Sequence, residues 1–309
     1  MSDVASMIHS ETRPGFSSSP RPQSLASGEP PAEGRPLAAL LNGMEYRCLT
    51  ELDGTLVESI TADSRLARPG ALFVAVPGLR TDGHQYLQEA ISRGCAAVML
   101  EAGRSLPEVG RPLAVIEVPD TRAALGLLAA AFYDRPAEHL KMIGITGTNG
   151  KTTCSYLLEA IIRAAGGKPG VLGTVSYRFD GLELPAPFTT PEPVMLQQIL
   201  RQMQEAGVTH VVMEVSSHAL AQKRLAGVAF DLALFTNLTR DHLDFHGEMA
   251  DYYESKKKLF LEHLTPQGYA VVLAKGAAEC AVPDSGWGRR LVTELVGSTA
   301  LQQNGRGKE

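Results

Sequence analysis

The sequence is short of cysteine and tryptophan and has no long apolar run. Its 309 residues include one tryptophan and four cysteines, which are Cys48, Cys95, Cys154 and Cys280. The cysteines lack the spacing of a metal site or a disulfide framework, which is typical of a protein in a reducing compartment. No apolar stretch approaches the ~20 residues that cross a bilayer, and the N-terminus lacks the apolar core of a secretion signal. These absences favour a cytoplasmic protein with no membrane partner.

Positive charge is scarce as well. The formal net charge is −5, and no basic block is long enough to suggest nucleic acid as the main partner. A chain of this length in which 44% of the residues are hydrophobic can bury substantial cores, and it favours two domains. We therefore expect no nucleic-acid partner. A monomer that binds small molecules is also expected, although the charge and length do not decide the oligomeric state.

The pattern of residue types divides the chain into four parts. Residues 1–36 are rich in Ser, Pro, Gly and Arg without apolar periodicity, and we expect them to be a disordered extension. Residues 37–136 alternate short apolar runs with helical patterns, which indicates a small N-terminal α/β domain. Residues 137–292 predict a larger, doubly wound, mainly parallel α/β domain, and residues 293–309 an irregular tail.

Apolar runs predict the elements of both domains. In the first domain we expect strands at 72–76, 96–100 and 114–118 and helices at 86–91 and 122–132, the second capped by Asp120-Thr121. In the second we expect strands at 142–146, 171–173, 208–215, 230–235 and 269–273 and helices at 151–165, 193–206 and 249–264. Such apolar runs are typical of a parallel sheet covered by helices. Because ligands bind at the carboxyl ends of such strands, the chemistry is expected just after Thr146, Val215 and Phe235.

The strongest functional motif is KMIGITGTNGKTT, which runs from Lys141 to Thr153. A buried strand enters a tight turn of Gly147, Thr148, Asn149 and Gly150, and a helix begins at Lys151. Such a turn directs backbone N–H groups and a helix N-terminus at one point, which suits a phosphate. Lys151 would neutralise β- and γ-phosphate charge, and Thr152 would ligate Mg²⁺. This predicts a P-loop-type ATPase domain.

The loop departs from the commonest nucleotide motif, G-x-x-x-x-G-K-[ST], whose first glycine would fall at Ile145. The alternative is an ordinary glycine-rich turn between a strand and a helix. The lysine, the two hydroxyls and the preceding strand occur together, which disfavours that alternative.

Polar residues also follow the two other strands. Glu214 ends an apolar run, where a carboxylate is costly unless it is paired or bound to metal. Its natural role in a nucleotide site is to hold Mg²⁺, and the alternative is a cap on the next helix. The segment TNLTRDHLDFHG, residues 236–247, concentrates histidines and aspartates at the same sheet end, which favours a second metal or phosphate contact. Lys257 and Lys258 are expected on a solvated helix face.

Five motifs, taken in order, resemble those of the Mur ligases. They are ADSRLARPGALFVAVPG (62–78) followed by DGHQY, GITGTNGKTT (144–153), TTPEP (189–193), MEVSSHALAQKR (213–224) and FTNLTRDHLDFHG (235–247). Each alone is suggestive, and their combination is specific. The resemblance covers about residues 37–264. Within the family, the motifs are similar to those of the ligases that add the third residue of the peptidoglycan stem peptide.

The resemblance implies an ATP-dependent amide-forming ligase. The D-glutamyl carboxylate of UDP-N-acetylmuramoyl-L-alanyl-D-glutamate would attack the γ-phosphorus of ATP to give an acyl phosphate. The amine of meso-diaminopimelate or L-lysine would then displace the phosphate. Phosphoryl transfer of this kind depends on charge neutralisation and positioning.

The resemblance also implies roles for individual residues. The ATP phosphates would be held by Gly147, Thr148, Asn149, Gly150, Lys151, Thr152 and Thr153. The implied catalytic residues are Lys151, Glu214, His242 and Lys256. Of the metal ligands, Thr152 and Glu214 would hold one Mg²⁺, and His242 a second. Lys256 would carry a CO₂ adduct, a carbamate that supports the second Mg²⁺, and only the family distinguishes Lys256 from its neighbours.

For the muropeptide, the resemblance implies contacts from both domains. Ser64 would lie near the uridine diphosphate. The sugar-peptide would be gripped by Thr189, Thr190, Ser216, Gln222 and Arg224. An arginine and hydroxyl groups suit an anionic ligand.

The family has a third domain that binds the incoming amino acid, whereas this sequence stops at Glu309. The tail matches the family only patchily: GWGRRLVTEL resembles the end of the central domain, and the arginine motif that selects the amino acid is absent. We therefore expect a truncated chain that binds ATP and UDP-muropeptide but ligates poorly or not at all. The alternative function is a remnant that binds these ligands without turnover.

Two further families are disfavoured. Folylpolyglutamate and cyanophycin synthetases share the superfamily, but folate ligases lack the first domain that SRLARPGALFVAVPG indicates. A P-loop GTPase or transport ATPase would require a base-recognition motif and switch loops, which we do not find.

Overall fold

The computed structural model describes residues 34–79, 81–274 and 277–281. The predictions for residues 1–33 and for the tail at 293–309 lie outside the described residues. Within the described ranges, no helix combines the length and the apolar character needed to cross a membrane. The chain forms two α/β modules, each built on its own main sheet.

The N-terminal module contains the first three helices. Its strands are β1 (Arg35–Pro36), β2 (Arg47–Cys48), β3 (Leu56–Val57), β4 (Ser59–Thr61), β5 (Ala71–Val74), β6 (Ala97–Glu101) and β7 (Ala114–Val118), and its helices are α1 (Leu37–Leu40), α2 (Leu87–Ser92) and α3 (Thr121–Phe132), with 3-10 turns at Ser64–Leu66 and Gly83–Tyr86. The main sheet has the order β2-β7-β6-β5-β4, with β4 to β7 parallel and β2 antiparallel at the edge. As predicted, Asp120 caps α3 by accepting hydrogen bonds from the backbone N–H groups of Arg122 and Ala123.

The central module carries the larger sheet. Its strands are β8 (Lys141–Thr146), β9 (Pro169–Leu172), β10 (Ser176–Phe179), β11 (Leu182–Pro185), β12 (His210–Glu214), β13 (Phe230–Phe235), β14 (Leu264–Ala274) and β15 (Ala277–Ala281), and its helices are α4 (Lys151–Ala164), α5 (Pro193–Glu205), α6 (Ser217–Ala221), α7 (Leu243–His246) and α8 (Met249–Leu261), with a 3-10 turn at Pro136–His139. Over the described residues the sheet has the order β11-β10-β9-β12-β8-β13-β14-β15. The strands β9, β12, β8, β13 and β14 are parallel.

The strand order fixes where a ligand can bind. β8 lies between β12 and β13. After β8 the chain adds strands on the β12 side of the sheet, and it later adds β13 on the opposite side of β8. The crevice at such a switch point, beyond the carboxyl ends of the strands, is the usual ligand site of this architecture. The register aligns Glu214 with Ile145 and Phe235 with Thr146. The three predicted polar segments therefore start at one sheet edge.

Apolar residues on both faces of the central sheet are covered by helices, as predicted. One face packs against α5, α6 and α8 around a large core that includes Met142, Met213 and Phe235. The opposite face, with Ile145 and Val212, packs against α4. The fold class is therefore an α/β protein with mostly parallel sheets. The packing of α4 on the sheet fixes the position of the loop that connects β8 to α4.

The two modules pack closely at one junction. Gly126 of α3 faces Ala226, and a Cβ atom at Gly126 would lie 2.6 Å from the Ala226 carbonyl oxygen. At the same junction the Lys223 ammonium lies 2.5 Å from the Asp120 carboxylate. Close backbone contact of this kind holds the modules against each other.

Several elements differ from the sequence prediction. The hairpin of β10 and β11 and the short helices α6 and α7 were not predicted, and β14 begins at Leu264 rather than Tyr269. Arg35–Pro36 pairs with β3 as a short strand, although the extension was expected to reach residue 36. The domain boundaries themselves stay predictions.

Candidate active site

The loop between β8 and α4 has the geometry of an anion site. Gly147 has a φ of +139°, and Gly150 has a φ of +85° and caps α4. No side chain caps the first turn of α4, so its N–H groups point from the end of a 14-residue helix toward the loop. This arrangement suits a phosphate group.

The segment after β13 holds the loop in shape. Thr148 N–H donates to the Asn237 carbonyl oxygen at 2.9 Å, and Asn149 N–H donates to the Asn237 side chain at 3.0 Å. The Thr236 hydroxyl donates to the Asn149 carbonyl oxygen at 2.7 Å, and Thr239 N–H donates to the Thr148 hydroxyl at 3.0 Å. These contacts position the loop from the neighbouring strand.

Two lysines converge on the loop. The Lys151 ammonium donates to the carbonyl oxygens of Gly147 and Thr148 at 2.9 and 3.0 Å. The Lys256 amine, on α8, donates to the same Gly147 oxygen at 2.8 Å and lies 4.6 Å from the centre of the Tyr252 ring. Burial and the nearby Lys151 charge lower the pKa of Lys256 to about 7, and burial also lowers the pKa of Lys151. Lys256 is only 2% exposed. Lys257 and Lys258 were expected on a solvated face but are half-buried, and Lys257 pairs with Glu254 at 2.7 Å.

Glu214 lies beside the loop and is 1% exposed. Its carboxylate accepts hydrogen bonds from the Thr152 hydroxyl at 2.9 Å and from the Thr174 hydroxyl at 3.0 Å. A Cβ atom at Gly173 would lie 2.5 Å from the same carboxylate. A buried carboxylate supported by two hydroxyls at the end of a phosphate loop is suited to hold a cation.

The predicted sugar-peptide residues form a network next to Glu214. The Thr190 hydroxyl donates to the Glu214 carbonyl oxygen at 2.9 Å and accepts from Ser216 N–H at 3.0 Å. Arg224 donates to the Thr190 carbonyl oxygen at 3.2 Å and to the Gln222 side chain at 3.0 Å. The Thr189 hydroxyl lies 3.1 Å from that of Thr174, so this group reaches the Glu214 site.

His242 lies at the same sheet end but is half-exposed. It caps α7 with a φ of +53°, and its ring centre is 4.9 Å from that of His218 and 6.2 Å from that of Tyr252. His242 and Lys256 thus both neighbour the Tyr252 ring. Within the described residues, no hydrogen bond joins the His242 and Lys256 side chains directly.

A cleft of about 620 Å³ links this end of the sheet to the N-terminal module. Ser64 lines it from the N-terminal module and Gln222 from the central module, and the Ser64 hydroxyl donates to Glu89 at 2.7 Å. Glu192, which pairs with Arg224 at 2.7 Å, lines it as well. The residues predicted for the two ends of one long ligand therefore border one continuous region.

Comparison with known proteins agrees with this geometry. The model of the Mur ligase middle domain matches residues 145–282, and that of the Mur ligase family catalytic domain matches residues 56–133. The chain belongs to the Mur ligase family. It is 46% identical over 250 residues to the UDP-N-acetylmuramoyl-L-alanyl-D-glutamate–2,6-diaminopimelate ligase of Geobacter metallireducens, which covers 80% of this chain and 48% of that protein. The protein of the same name from Solibacter usitatus is 49% identical over 210 residues, which covers 68% of this chain and 42% of that protein.

This Mur ligase chain also resembles solved structures. A structure of UDP-N-acetylmuramoyl-L-alanyl-D-glutamate–2,6-diaminopimelate ligase superposes with a TM-score of 0.60 at 29% identity, covering 73% of this chain and 45% of that one. A MurF structure from Acinetobacter baumannii shares the fold, with a TM-score of 0.53 at 21% identity over 86% of this chain and 52% of that one. The chain spans about half the length of the curated relatives it matches.

The Mur ligase site fits one of the two predicted metal positions well. The Thr152 and Glu214 oxygens are 2.9 Å apart, which is about the separation of adjacent oxygens around Mg²⁺ at ~2.1 Å bond lengths. In the part of the chain that the structure describes, no group of three or more His, Cys, Asp or Glu side chains could hold a metal ion. A Mg²⁺ at Thr152 and Glu214 would therefore take its other ligands from phosphate and water.

Sequence reasoning missed several residues that shape this site. Thr174 follows β9 and reaches Glu214, and Tyr252 packs under Lys256. Asn237 was noted in its motif, although its contact with the loop was not predicted. Thr174 lies two residues beyond the end of β9, the strand adjacent to β12, so the rule that ligands bind at strand ends could have identified it. Nothing in the sequence distinguishes Tyr252 from an ordinary core aromatic residue.

Proposed function

We propose that this chain forms the nucleotide- and muropeptide-binding part of an ATP-dependent ligase. The ligase would add the third amino acid to UDP-N-acetylmuramoyl-L-alanyl-D-glutamate through an acyl phosphate, as in peptidoglycan synthesis. The names of the curated relatives favour meso-diaminopimelate over L-lysine as that amino acid. The single observation that carries the proposal is the convergence of Lys151, Glu214 and Lys256 on one phosphate loop.

In this proposal the protein acts by position and charge. The first turn of α4 and the Lys151 ammonium would bind the β- and γ-phosphates. Thr152 and Glu214 would hold Mg²⁺, which supplies positive charge to the phosphates. The threonine and arginine network around Ser216 would place the substrate carboxylate against the γ-phosphorus. Phosphoryl transfer gains mainly from such placement and charge neutralisation.

Lys256 would act as a carbamate. Carbamylation requires an uncharged amine, and the lowered pKa of Lys256 supplies one near neutral pH. The adduct would exchange a buried cation for an anion and would support, with His242, a second Mg²⁺. Among the described residues, no carboxylate forms an ion pair with this amine, which fits a group that is buried without a fixed countercharge.

The experiment is a measurement of ATP turnover by the 309-residue chain. We expect Mg²⁺-dependent ATP binding, and ADP formation that requires the UDP-muropeptide. Amide product with meso-diaminopimelate is measured in parallel by mass spectrometry. Glu214→Gln should weaken Mg·ATP binding at least tenfold, whereas Glu183→Gln, at an exposed position of the same module, should not change it. A chain that binds neither Mg·ATP nor UDP-muropeptide would contradict the proposal.

The second candidate function is binding without turnover. The observation that favours it is that matched residues cover less than half of each curated relative. It predicts binding of both ligands with no ADP formed when they are combined. The same assay therefore separates the two functions.

A further inference from the structure

His246 is a buried imidazole to which the proposed function gives no task. It is 9% exposed and ends α7. Its Nε2 atom lies 2.9 Å from the Ser217 hydroxyl, and its Nδ1 atom lies 3.4 Å from the Ser255 hydroxyl. A neutral imidazole donates through one nitrogen and accepts through the other, so two hydroxyls can satisfy it. Burial lowers the pKa of His246 to about 4, which keeps the ring neutral at physiological pH.

The two serines connect His246 to the proposed active site. Ser217 directly follows Ser216 at the start of α6, and Ser255 directly precedes Lys256 on α8. The His246 ring also packs against Tyr252, at 5.2 Å between ring centres. One side chain therefore joins three segments, which carry Ser216, His242 and Lys256.

Lys256 needs such support because little else fixes its head group. Among the described residues its amine makes one hydrogen bond, to the Gly147 carbonyl oxygen at 2.8 Å, and it lies over the Tyr252 ring. A lysine side chain has four rotatable bonds, so its position depends on where α8 is held. The apolar residues Leu259 and Phe260 pack α8 against the core of the central sheet, and His246 adds contacts at Ser255 and Tyr252, next to Lys256.

We propose that His246 is a positioning residue that fixes Lys256 against the phosphate loop by joining α8 to α6 through Ser255 and Ser217. This role rests on the proposed function, in which Lys256 carries a carbamate. The geometric part of the claim, that His246 keeps the Lys256 amine in its buried place, can be tested without ATP turnover.

The test is competitive labelling of lysines in the 309-residue chain with an amine-reactive reagent in bicarbonate-free buffer. Cleavage after Glu254 and Glu262 gives one peptide with Lys256, Lys257 and Lys258, so the two neighbours serve as internal standards in mass spectrometry. In Ser255→Ala and His246→Ala we expect Lys256 labelling to rise about tenfold relative to its neighbours, since one buried hydrogen bond is lost. His246→Gln retains an amide that can replace one bond, and it should give a smaller rise.

The control is Ser92→Ala, which removes a hydroxyl bonded to a backbone oxygen in the N-terminal module and should leave Lys256 labelling unchanged. Urea unfolding shows whether each variant is folded. If His246→Ala does not fold, the labelling of Lys256 in Ser255→Ala alone tests the proposal. Unchanged Lys256 labelling in folded Ser255→Ala would overturn the proposal.

A second readout separates this inference from the proposed function. With ¹³C-bicarbonate, the wild-type chain should show a carbamate signal by NMR, and Ser255→Ala should need more bicarbonate for the same signal. A wild-type chain without any carbamate would contradict the proposed modification of Lys256, and the labelling result would still decide the role of His246. If the carbamate forms with the same bicarbonate dependence in the wild-type chain and in Ser255→Ala, the result would contradict the positioning role of His246.

Discussion

At the scale of single residues, the phosphate loop depends on a glycine with no room for a side chain. A Cβ atom at Gly147 would lie 2.0 Å from the Thr236 hydroxyl, and the residue has a φ of +139°. Gly150 also has a positive φ, +85°, but nothing lies within 4 Å of a Cβ atom there. We expect Gly150→Ala to cost about 1 kcal/mol of unfolding free energy and Gly147→Ala roughly 3 kcal/mol or more.

Urea unfolding of the two variants tests this difference. Because a Cβ atom at Gly147 would push the loop away from Thr236 and Asn237, Gly147→Ala should also abolish ATP binding, whereas Gly150→Ala should retain part of it. Equal stability losses would show that the loop relaxes around the added methyl group.

Among the described residues that line the cleft, Arg122 is the charged residue without a carboxylate partner. The other ionised groups are satisfied: Asp63 pairs with Arg65 at 2.6 Å, and Glu192 pairs with Arg224 at 2.7 Å. Within the part of the chain that the structure describes, the Arg122 guanidinium donates to the Pro77 carbonyl oxygen and to no other group. An unpaired guanidinium in a cleft suits a diphosphate. We expect Arg122→Gln to weaken UDP binding at least tenfold and to leave uridine binding unchanged.

Titration calorimetry with UDP and uridine measures that difference. The matched control is Arg65→Gln, since Arg65 lines the same cleft but is paired with Asp63. If Arg122→Gln weakens uridine and UDP equally, the guanidinium shapes the cleft and does not bind phosphate.

At the scale of elements, a buried ion pair joins α4 to the β10–β11 hairpin. The Glu159 carboxylate lies 2.6 Å from Arg178, and their side chains are 11% and 13% exposed. Arg178 also stacks on Tyr156, at 4.0 Å from the ring centre. Glu159 also pairs with Arg163 at 2.7 Å, so Arg178→Met leaves the carboxylate one partner and should cost about 2 kcal/mol of unfolding free energy.

The double variant Glu159→Leu/Arg178→Met removes both charges. We expect it to recover most of that loss in urea unfolding, because an apolar pair can replace a buried ion pair of similar volume. A double variant less stable than Arg178→Met would show that the hairpin is held by other contacts.

That hairpin illustrates what the sequence could not predict. Long apolar strands such as β8 and β13 were predicted to within one residue, and α4 begins at Lys151 as expected, because strong periodicity and a glycine turn fix them locally. β10 and β11 have four residues each, and Arg178 at the centre of the first obscures its pattern. The burial of Arg178 depends on its ion pair with Glu159, which lies on α4.

The candidate site also contains residues that the local sequence predicts and a residue that it does not. Lys151, Thr152 and Glu214 follow from a local motif and from the rule of strand ends, and the structure brings them together. Lys256 was selected by family resemblance alone. Its burial depends on the packing of α8 against the loop, since the run of three lysines by itself predicts a solvated face. Tertiary context decides which of three identical residues turns inward.

At the scale of the whole molecule, the modules meet through small residues around Gly126 and Ala226, and the cleft lies beside this junction. The cleft takes side chains from both modules, so its width depends on how closely α3 approaches the central module. This dependence ties ligand binding to the packing of the whole molecule and not to the phosphate loop alone.

One buried histidine, His246, and two half-buried ones, His218 and His263, give the molecule a defined response to acid. Burial lowers the pKa of His246 to about 4 and lowers the pKa values of His218 and His263 as well. In the unfolded chain a histidine titrates near 6.5, so between pH 6.5 and pH 4 the unfolded state binds protons that the folded state excludes. The free energy of unfolding must therefore fall as pH falls through this window. Lys256, with a pKa of about 7, titrates above the window.

For His246 alone the expected loss between pH 7 and pH 4.5 is on the order of 2 kcal/mol. Urea unfolding at the two pH values should show that His246→Gln loses less stability on acidification than the wild-type chain by about this amount, whatever its stability at pH 7. His139→Gln removes an exposed imidazole. It should lose as much unfolding free energy between the two pH values as the wild-type chain does. If His246→Gln and the wild-type chain lose equal stability, the His246 ring accepts a proton within the fold, and its hydrogen bonds to Ser217 and Ser255 cannot require the neutral form.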